Sequence, residues 1–427
     1  MAQRALIAAA LAARPKVLIA DEPTSGLDVT VQAAFLDMMA AAARERQAAV
    51  LLITQEPGIL ANYCDRVLTM EHGRIVADRS VAEHFSRSGE TTHAIPVADG
   101  GPAVLEAQAL TKTFPLRNSR AVVHAVDNVD LTASEGETVG LVGESGSGKT
   151  TVGRLLLRLT RPDSGTVRIV GQDVAELGPG SLRALRRRVQ LVRQDPFDSF
   201  DPRWSVLRSV SEPLVTHGFA NPEARARELL GLVGCGAIAE ERPRDCSAGD
   251  LQRAAVVRAL ATEPAFVVLD EPTSVLAPPA RRDLTALLAR LQRETRAAFL
   301  FISHDLTTVA AISHRVAVMY LGQIVETGPT SEIFHAPRHP YTRALIAAHL
   351  SVDPARRRVD NPPLERLDGE IPSPVDLPPG CYLASRCAYV RPRCIAERQS
   401  LLADGAGEVR CWRAVAGELP PFVRQAA

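Results

Sequence analysis

The feature that most constrains this chain is an internal repeat. VLIADEPTSGLD at 17–28 returns as FVVLDEPTSVLA at 266–277, so that Asp21 matches Asp270 at an offset of 249. The same offset pairs Gln3 with Gln252, Arg4 with Arg253, Gln55 with His304, Arg66 with Arg315 and Gly73 with Gly322. One gapless offset held over more than 70 residues marks two copies of one fold. Met1 falls opposite Asp250, and nothing in the first copy answers to the stretch from about Val104 to Asp250. By this arithmetic the first copy is expected to lack roughly 150 upstream residues, as a late start codon, a frameshift or a degraded gene would leave it. The expected organisation is the C-terminal part of a first domain over 1–80 and a linker over 81–103 that ends in HAIPVADGGPA. A complete domain over 104–335 and an irregular tail over 336–427, rich in Pro, Arg and Cys, follow.

Composition narrows the function classes. The 427 residues are 46% hydrophobic and 23% charged, as in globular proteins. Lys+Arg and Asp+Glu balance at 49 each, which argues against a nucleic-acid partner, since a duplex binder carries a positive surplus. No apolar run is long enough to span a bilayer. Met1 to Arg14 imitates an export signal, but the repeat accounts for it better.

Residues 138–151, TVGLVGESGSGKTT, fit G-x-x-x-x-G-K-[ST] through Gly143, Gly148, Lys149 and Thr150. A short apolar strand is predicted before the loop. Val152, Leu155, Leu156 and Leu159 predict a helix after it. Glycines let backbone amides face phosphate oxygens, and the helix N-terminus adds its dipole. The nucleotide-holding set is therefore Gly143, Glu144, Ser145, Gly146, Ser147, Gly148, Lys149, Thr150 and Thr151, with Lys149 near the β- and γ-phosphates and Thr150 toward Mg²⁺. FVVLD predicts a buried strand ending in Asp270, where open α/β sheets bind ligands. Asp270 is expected to hold Mg²⁺ and Glu271 to polarise the attacking water. His304 caps another predicted strand, AFLFIS, where a histidine can contact the γ-phosphate.

Together these motifs resemble an ABC transporter ATPase, a P-loop NTPase of α/β class whose phosphate loop is the Walker A motif. The resemblance implies further sites. Gln194, in QLVRQDP, resembles the Q-loop glutamine that contacts Mg²⁺ and couples to the permease. Phe114 lies where the family stacks an aromatic ring on adenine. CSAGDLQR at 246–253 resembles the signature motif through Ser247 and Gly249, while Ala248 and Asp250 depart from it. HAPRHPYTRAL at 335–345 and SFDPR at 199–203 resemble segments of oligopeptide and dipeptide importers. Cys381, Cys387, Cys394 and Cys411 resemble that subfamily's C-terminal cysteine region, where relatives hold a four-iron, four-sulfur cluster, with zinc as the alternative.

The resemblance implies an ATP-hydrolysing subunit at the cytoplasmic face of the inner membrane. It would energise uptake of peptides or similar solutes through separate permease subunits, with an extracytoplasmic solute-binding protein acting indirectly. The alternatives are a non-catalytic ATP-binding remnant and a non-transport ABC ATPase. In this family two ATPase domains, in one chain or two, pair head to tail, and ATP on one phosphate loop is completed by the other domain's signature. The site built on Lys149 would draw on the first copy's signature, of which Met1 to Arg4 survive, and on Asp28. The opposite site would use Glu22 and Gln55 with Ala248, Asp250 and Ala277. Every departure falls on that second site, so one working and one degenerate site are expected.

Overall fold

The computed structural model describes residues 9–10, 12–24, 26–86, 100–116, 119–361, 363, 365–367 and 369–422. The expectations placed on Met1 to Arg4, most of the export-like start and most of the linker lie outside them. The chain forms two compact units. One takes Met1–His93, Pro340–Asp368 and Pro420–Ala427; the other takes Ala94–His339 and Gly369–Leu419. Residues beyond 335 are thus shared between both.

In the first unit β1 (Val17–Asp21) pairs in parallel with β2 (Ala49–Ile53). The hairpin β3 (Arg66–Glu71) and β4 (Arg74–Ser80) stands as a separate sheet. The helix Val29–Glu45 buries Phe35, Leu36 and Met39 against Leu18 and Ile59. Asp37 on that helix accepts from Tyr63 Oη at 2.7 Å and from Arg358 Nη2 at 2.9 Å, tying in the 340–368 segment.

The second unit adds β5 (Ala103–Pro115), β6 (Val122–Ser134), β7 (Thr138–Val142), β8 (Ser164–Ile169), β9 (Gln172–Asp173) and β10 (Val189–Val192). It continues with β11 (Phe266–Asp270), β12 (Ala298–Ile302), β13 (Arg315–Tyr320), β14 (Gln323–Pro329), β15 (Leu402–Asp404) and β16 (Gly407–Val409). Strands β6-β5-β8-β9 make an antiparallel sheet, and β10-β11-β12-β7-β13-β14-β16-β15 make the main one. From β10 to β13 the main sheet is parallel. Its central strands, TVGLV, FVVLD and AFLFI, read as continuous apolar runs because both faces are covered. Leu141, Val268, Leu300 and Ile302 share one core with Val152, Leu155 and Leu156 of the helix Lys149–Leu156. That helix sits close to the sheet at Gly153, where a Cβ would lie 3.0 Å from Val268 Cγ1. The tail also contributes to the sheet, since β16 pairs antiparallel with β14 through Glu326 and Val409.

Candidate nucleotide site

Parallel pairing brings the candidate residues to one edge. Gly143 follows β7, Asp270 ends β11, Gln194 lies two residues past β10 and His304 two past β12. All four therefore stand at the C-terminal ends of neighbouring parallel strands, the ligand-binding edge of an open α/β sheet.

The phosphate loop runs from Gly143 to the helix that starts at Lys149. Two of its glycines are required. Gly143 has φ 152°, and a Cβ there would run into the Met319 carbonyl. Gly148, the helix N-cap, has φ 104°, and a Cβ there would meet the Ala125 carbonyl. Backbone at such angles excludes other residues. Lys149 is buried, and its Nζ donates to the carbonyls of Gly143 at 2.7 Å and Glu144 at 2.9 Å. The ammonium is thus folded over the loop's centre, where it is positioned to meet an anion.

Thr150 Oγ1 donates to Asp270 Oδ1 at 3.1 Å, joining the first turn of the helix to the end of β11. Burial raises the Asp270 carboxyl above its usual range, and the Thr150 hydrogen bond opposes that rise. A hydroxyl beside a carboxylate is an all-oxygen donor set that fits Mg²⁺, a hard cation. Thr150, Asp270 and Gln194 are the residues that would hold it. Gln194 is exposed.

Glu271 follows with φ 51°, a left-handed conformation unusual for a non-glycine residue, and its N–H donates to the Ile302 carbonyl at 2.9 Å. Its Oε1 lies 3.0 Å from His304 Nδ1 in hydrogen-bonding geometry. Its Oε2 lies 2.9 Å from the same Nδ1, so the imidazole straddles both carboxylate oxygens. The Glu271 hydrogen bond raises the His304 pKa above its ordinary value, against the effect of burial.

The remaining candidates are placed as follows. Phe114 is 39% exposed, with Lys112 Nζ 5.5 Å from its ring centroid, and pairs with Val123, two residues from the Ala125 that backs the phosphate loop. Ser247 N-caps the helix Ala248–Leu260, its Oγ accepting from Asp250 N at 3.1 Å. A Cβ on Gly249 would meet only Ser247 Oγ at 3.9 Å, so nothing in its own unit demands a glycine there. Asp250 is bound by Ser247 Oγ at 2.7 Å and paired with Arg253, so its charge is engaged within its own helix. In the tail, burial pushes the Cys381 thiol up to about 11 and the Cys387 thiol up to about 12. The Cys381 N–H donates to the Cys394 carbonyl at 2.7 Å, which brings those two residues together. Among the described residues no group of three or more His, Cys, Asp or Glu is arranged to hold a metal ion.

Sequence reasoning missed Arg386, Tyr320 and Asp127, which lie behind the phosphate loop. The only signal for Arg386 was its place beside Cys387 in a segment that otherwise reads as loop.

The family model described as ABC transporter matches residues 126–274, and that of the oligopeptide/dipeptide transporter C-terminal region matches 325–394. The glutathione import ATP-binding protein GsiA of Salmonella paratyphi A (strain ATCC 9150 / SARB42) is 40% identical over 420 residues, covering 87% of this chain and 67% of that protein. GsiA of Escherichia coli (strain K12) is 40% identical over 424 residues, covering 88% and 67%. Among solved structures, the dimeric ATP-binding cassette MJ0796 bound to ADP and Pi is 27% identical, with a TM-score of 0.49 over 53% of this chain and 98% of that one. The chain belongs to the ABC transporter ATP-binding proteins, and its chemistry is that of an ABC ATPase acting with ATP and Mg²⁺. Within that class it is of the oligopeptide/dipeptide importer type, the ATP-binding subunit of an importer that works with membrane permease subunits. Among the described residues no helix is long and apolar enough to cross a membrane.

Proposed function

We propose that this subunit hydrolyses ATP at Lys149, Asp270, Glu271 and His304, on the cytoplasmic face of the inner membrane, to drive uptake of peptide-like solutes. The relatives' name extends the candidate cargo to glutathione. Cargo is delivered to the permease by an extracytoplasmic binding protein. The observation that carries the reading is the chain of contacts Thr150–Asp270 and Glu271–His304 beside the buried Lys149 ammonium.

In this reading the loop from Gly143 to Thr151 grips the triphosphate and Lys149 turns from its carbonyls to the β- and γ-oxygens. Thr150, Asp270 and Gln194 would hold Mg²⁺, which would supply charge neutralisation at the phosphates. Glu271 accepts from the attacking water. His304 orients Glu271 and reports on the γ-phosphate, and Phe114 stacks on adenine. Catalysis is then positioning and electrostatics. The test is Glu271→Gln, assayed with the permease and a complete partner domain: ATP should still bind while turnover collapses, and unchanged turnover refutes the role.

The segment 1–80 is read as part of a second ATPase domain, 81–103 as linker, 104–335 as the complete domain and 336–427 as the importer-type tail. Matching strand registers support the first assignment. β1–β2 and β11–β12 pair at positions that differ throughout by the repeat offset, as do β3–β4 and β13–β14, down to the same bulge. Ser247 and Gly249 are read as the signature residues that complete a partner ATPase domain's phosphate loop. Gln55, at the position of His304, and Ala277, at that of Asp28, are read as degenerate motif positions. The Asp250 charge is paired with Arg253. The four tail cysteines are read as ligands of an iron–sulfur cluster or zinc on their clustering in sequence, Cys381, Cys387, Cys394 and Cys411. Iron and zinc analysis of anaerobically purified protein tests this, and a metal-free protein with four free thiols refutes it.

A further inference from the structure

The phosphate loop is held from behind by the cysteine-bearing tail. Glu144, the loop residue after Gly143, places its carboxylate in a buried ion pair with Arg386. Arg386 Nη1 lies 3.1 Å from Oε2, and Nη2 lies 3.4 Å from Oε1. Glu144 is 3% exposed and Arg386 5%. The guanidinium is itself steadied, with Nη1 3.4 Å from Tyr320 Oη. Its segment is pinned to the domain where Tyr382 Oη donates to Asp127 Oδ2 at 2.5 Å. Meanwhile the Glu144 main-chain carbonyl accepts from Lys149 at 2.9 Å. One residue thus faces the nucleotide with its backbone and the tail with its side chain.

A carboxylate in a loop built to hold a triphosphate repels its own ligand unless a cation cancels it, and low dielectric magnifies that repulsion. A bidentate guanidinium both cancels the charge and fixes the geometry. We propose that Arg386 is a positioning residue of the ATP site: it neutralises and anchors Glu144, so that the tail completes the phosphate loop. It touches no substrate atom and acts through Glu144 alone.

The test is titration of the full chain with Mg·ATP and Mg·ADP, with folding checked by circular dichroism and thermal melting without nucleotide. Arg386→Met should raise the Kd for ATP about ten-fold or more, with a smaller rise for ADP, because ADP carries less charge. Replacing both partners, Arg386→Met with Glu144→Gln, should bring the ATP Kd back to within about three-fold of native, since a neutral buried pair carries little penalty. Arg386→Lys should fall between. A purely packing role would move ATP and ADP together and would not be relieved by Glu144→Gln. Native ATP affinity in a folded Arg386→Met protein overturns the proposal, as does a double variant no better than the single one. If Arg386→Met does not fold, Arg386→Gln carries the test: a similar loss of ATP affinity upholds the proposal and native affinity overturns it.

Discussion

The two units carry the same strand pairs in different surroundings. In the second unit β11 and β12 are buried almost throughout; in the first, Val17, Ile19, Leu51 and Ile53 on β1 and β2 are all more than 45% exposed. The registers agree, and Glu22 and Glu271 even share the left-handed backbone, with φ 39° and 51°. What differs is the middle of the sheet. β7 lies between β12 and β13 and carries the phosphate loop, whereas among the described residues of the first unit no strand joins β2 to β3. Register and turn geometry thus follow from local sequence, but burial and the anion site depend on the central strand. The strained glutamate is a property of the DEPTS sequence, and becomes chemically useful only beside Lys149.

The predictions probe that contrast, from largest effect to smallest. Lys149→Ala should abolish measurable Mg·ATP binding at millimolar nucleotide, judged by equilibrium titration. Glu271→Gln should lower turnover about 10²–10³-fold, or roughly 3–4 kcal/mol of transition-state stabilisation. Its counterpart Glu22→Gln should leave that turnover unchanged. An equal loss from Glu22→Gln would break the comparison.

A third prediction uses His304 against Gln55. The Glu271 contact raises the His304 pKa, so the pair stabilises the folded state fully below the ordinary histidine pKa of about 6.5. That contribution is lost as pH rises through the elevated folded value. His304→Gln, which copies Gln55, should flatten this part of the melting-temperature profile on the alkaline side of pH 6.5 or so. With His304 retained, its imidazole NMR titration should shift down upon Glu271→Gln; a midpoint that does not move contradicts the contact.

The smallest effect concerns matched glycines. Gly73 and Gly322 both have positive φ, 76° and 82°. A Cβ at Gly73 meets nothing within 4 Å, whereas at Gly322 it would lie 3.3 Å from the Ala125 carbonyl. Gly73→Ala should therefore cost only the left-handed penalty of about 1–2 kcal/mol. Gly322→Ala should cost more by denaturant unfolding, and equal costs would show that β6 yields.

Much of this was legible in the sequence, for identifiable reasons. The loop around Lys149 and the strand-end acids Asp270 and Glu271 lie within short segments whose glycine and apolar spacing dictates their backbone. Gathering them at one edge with Gln194 and His304 followed from parallel pairing. The Arg386–Glu144 pair was not legible, because it joins residues far apart in the chain through an irregular segment with no periodicity. The placement of β15 and β16 on the sheet edge was hidden likewise, since strands of three residues carry no alternation to detect. The pairing of Asp250 with Arg253 lies at i, i+3 on one helix and adds a contact that the motif comparison alone did not supply.

The central claim is that this chain carries one triphosphate site, built by the second unit around Lys149. Nucleotide stoichiometry measured on the purified full chain tests it most directly. The account predicts one Mg·ATP per chain, lost entirely on Lys149→Ala. Two per chain, or one that survives the substitution, would contradict it.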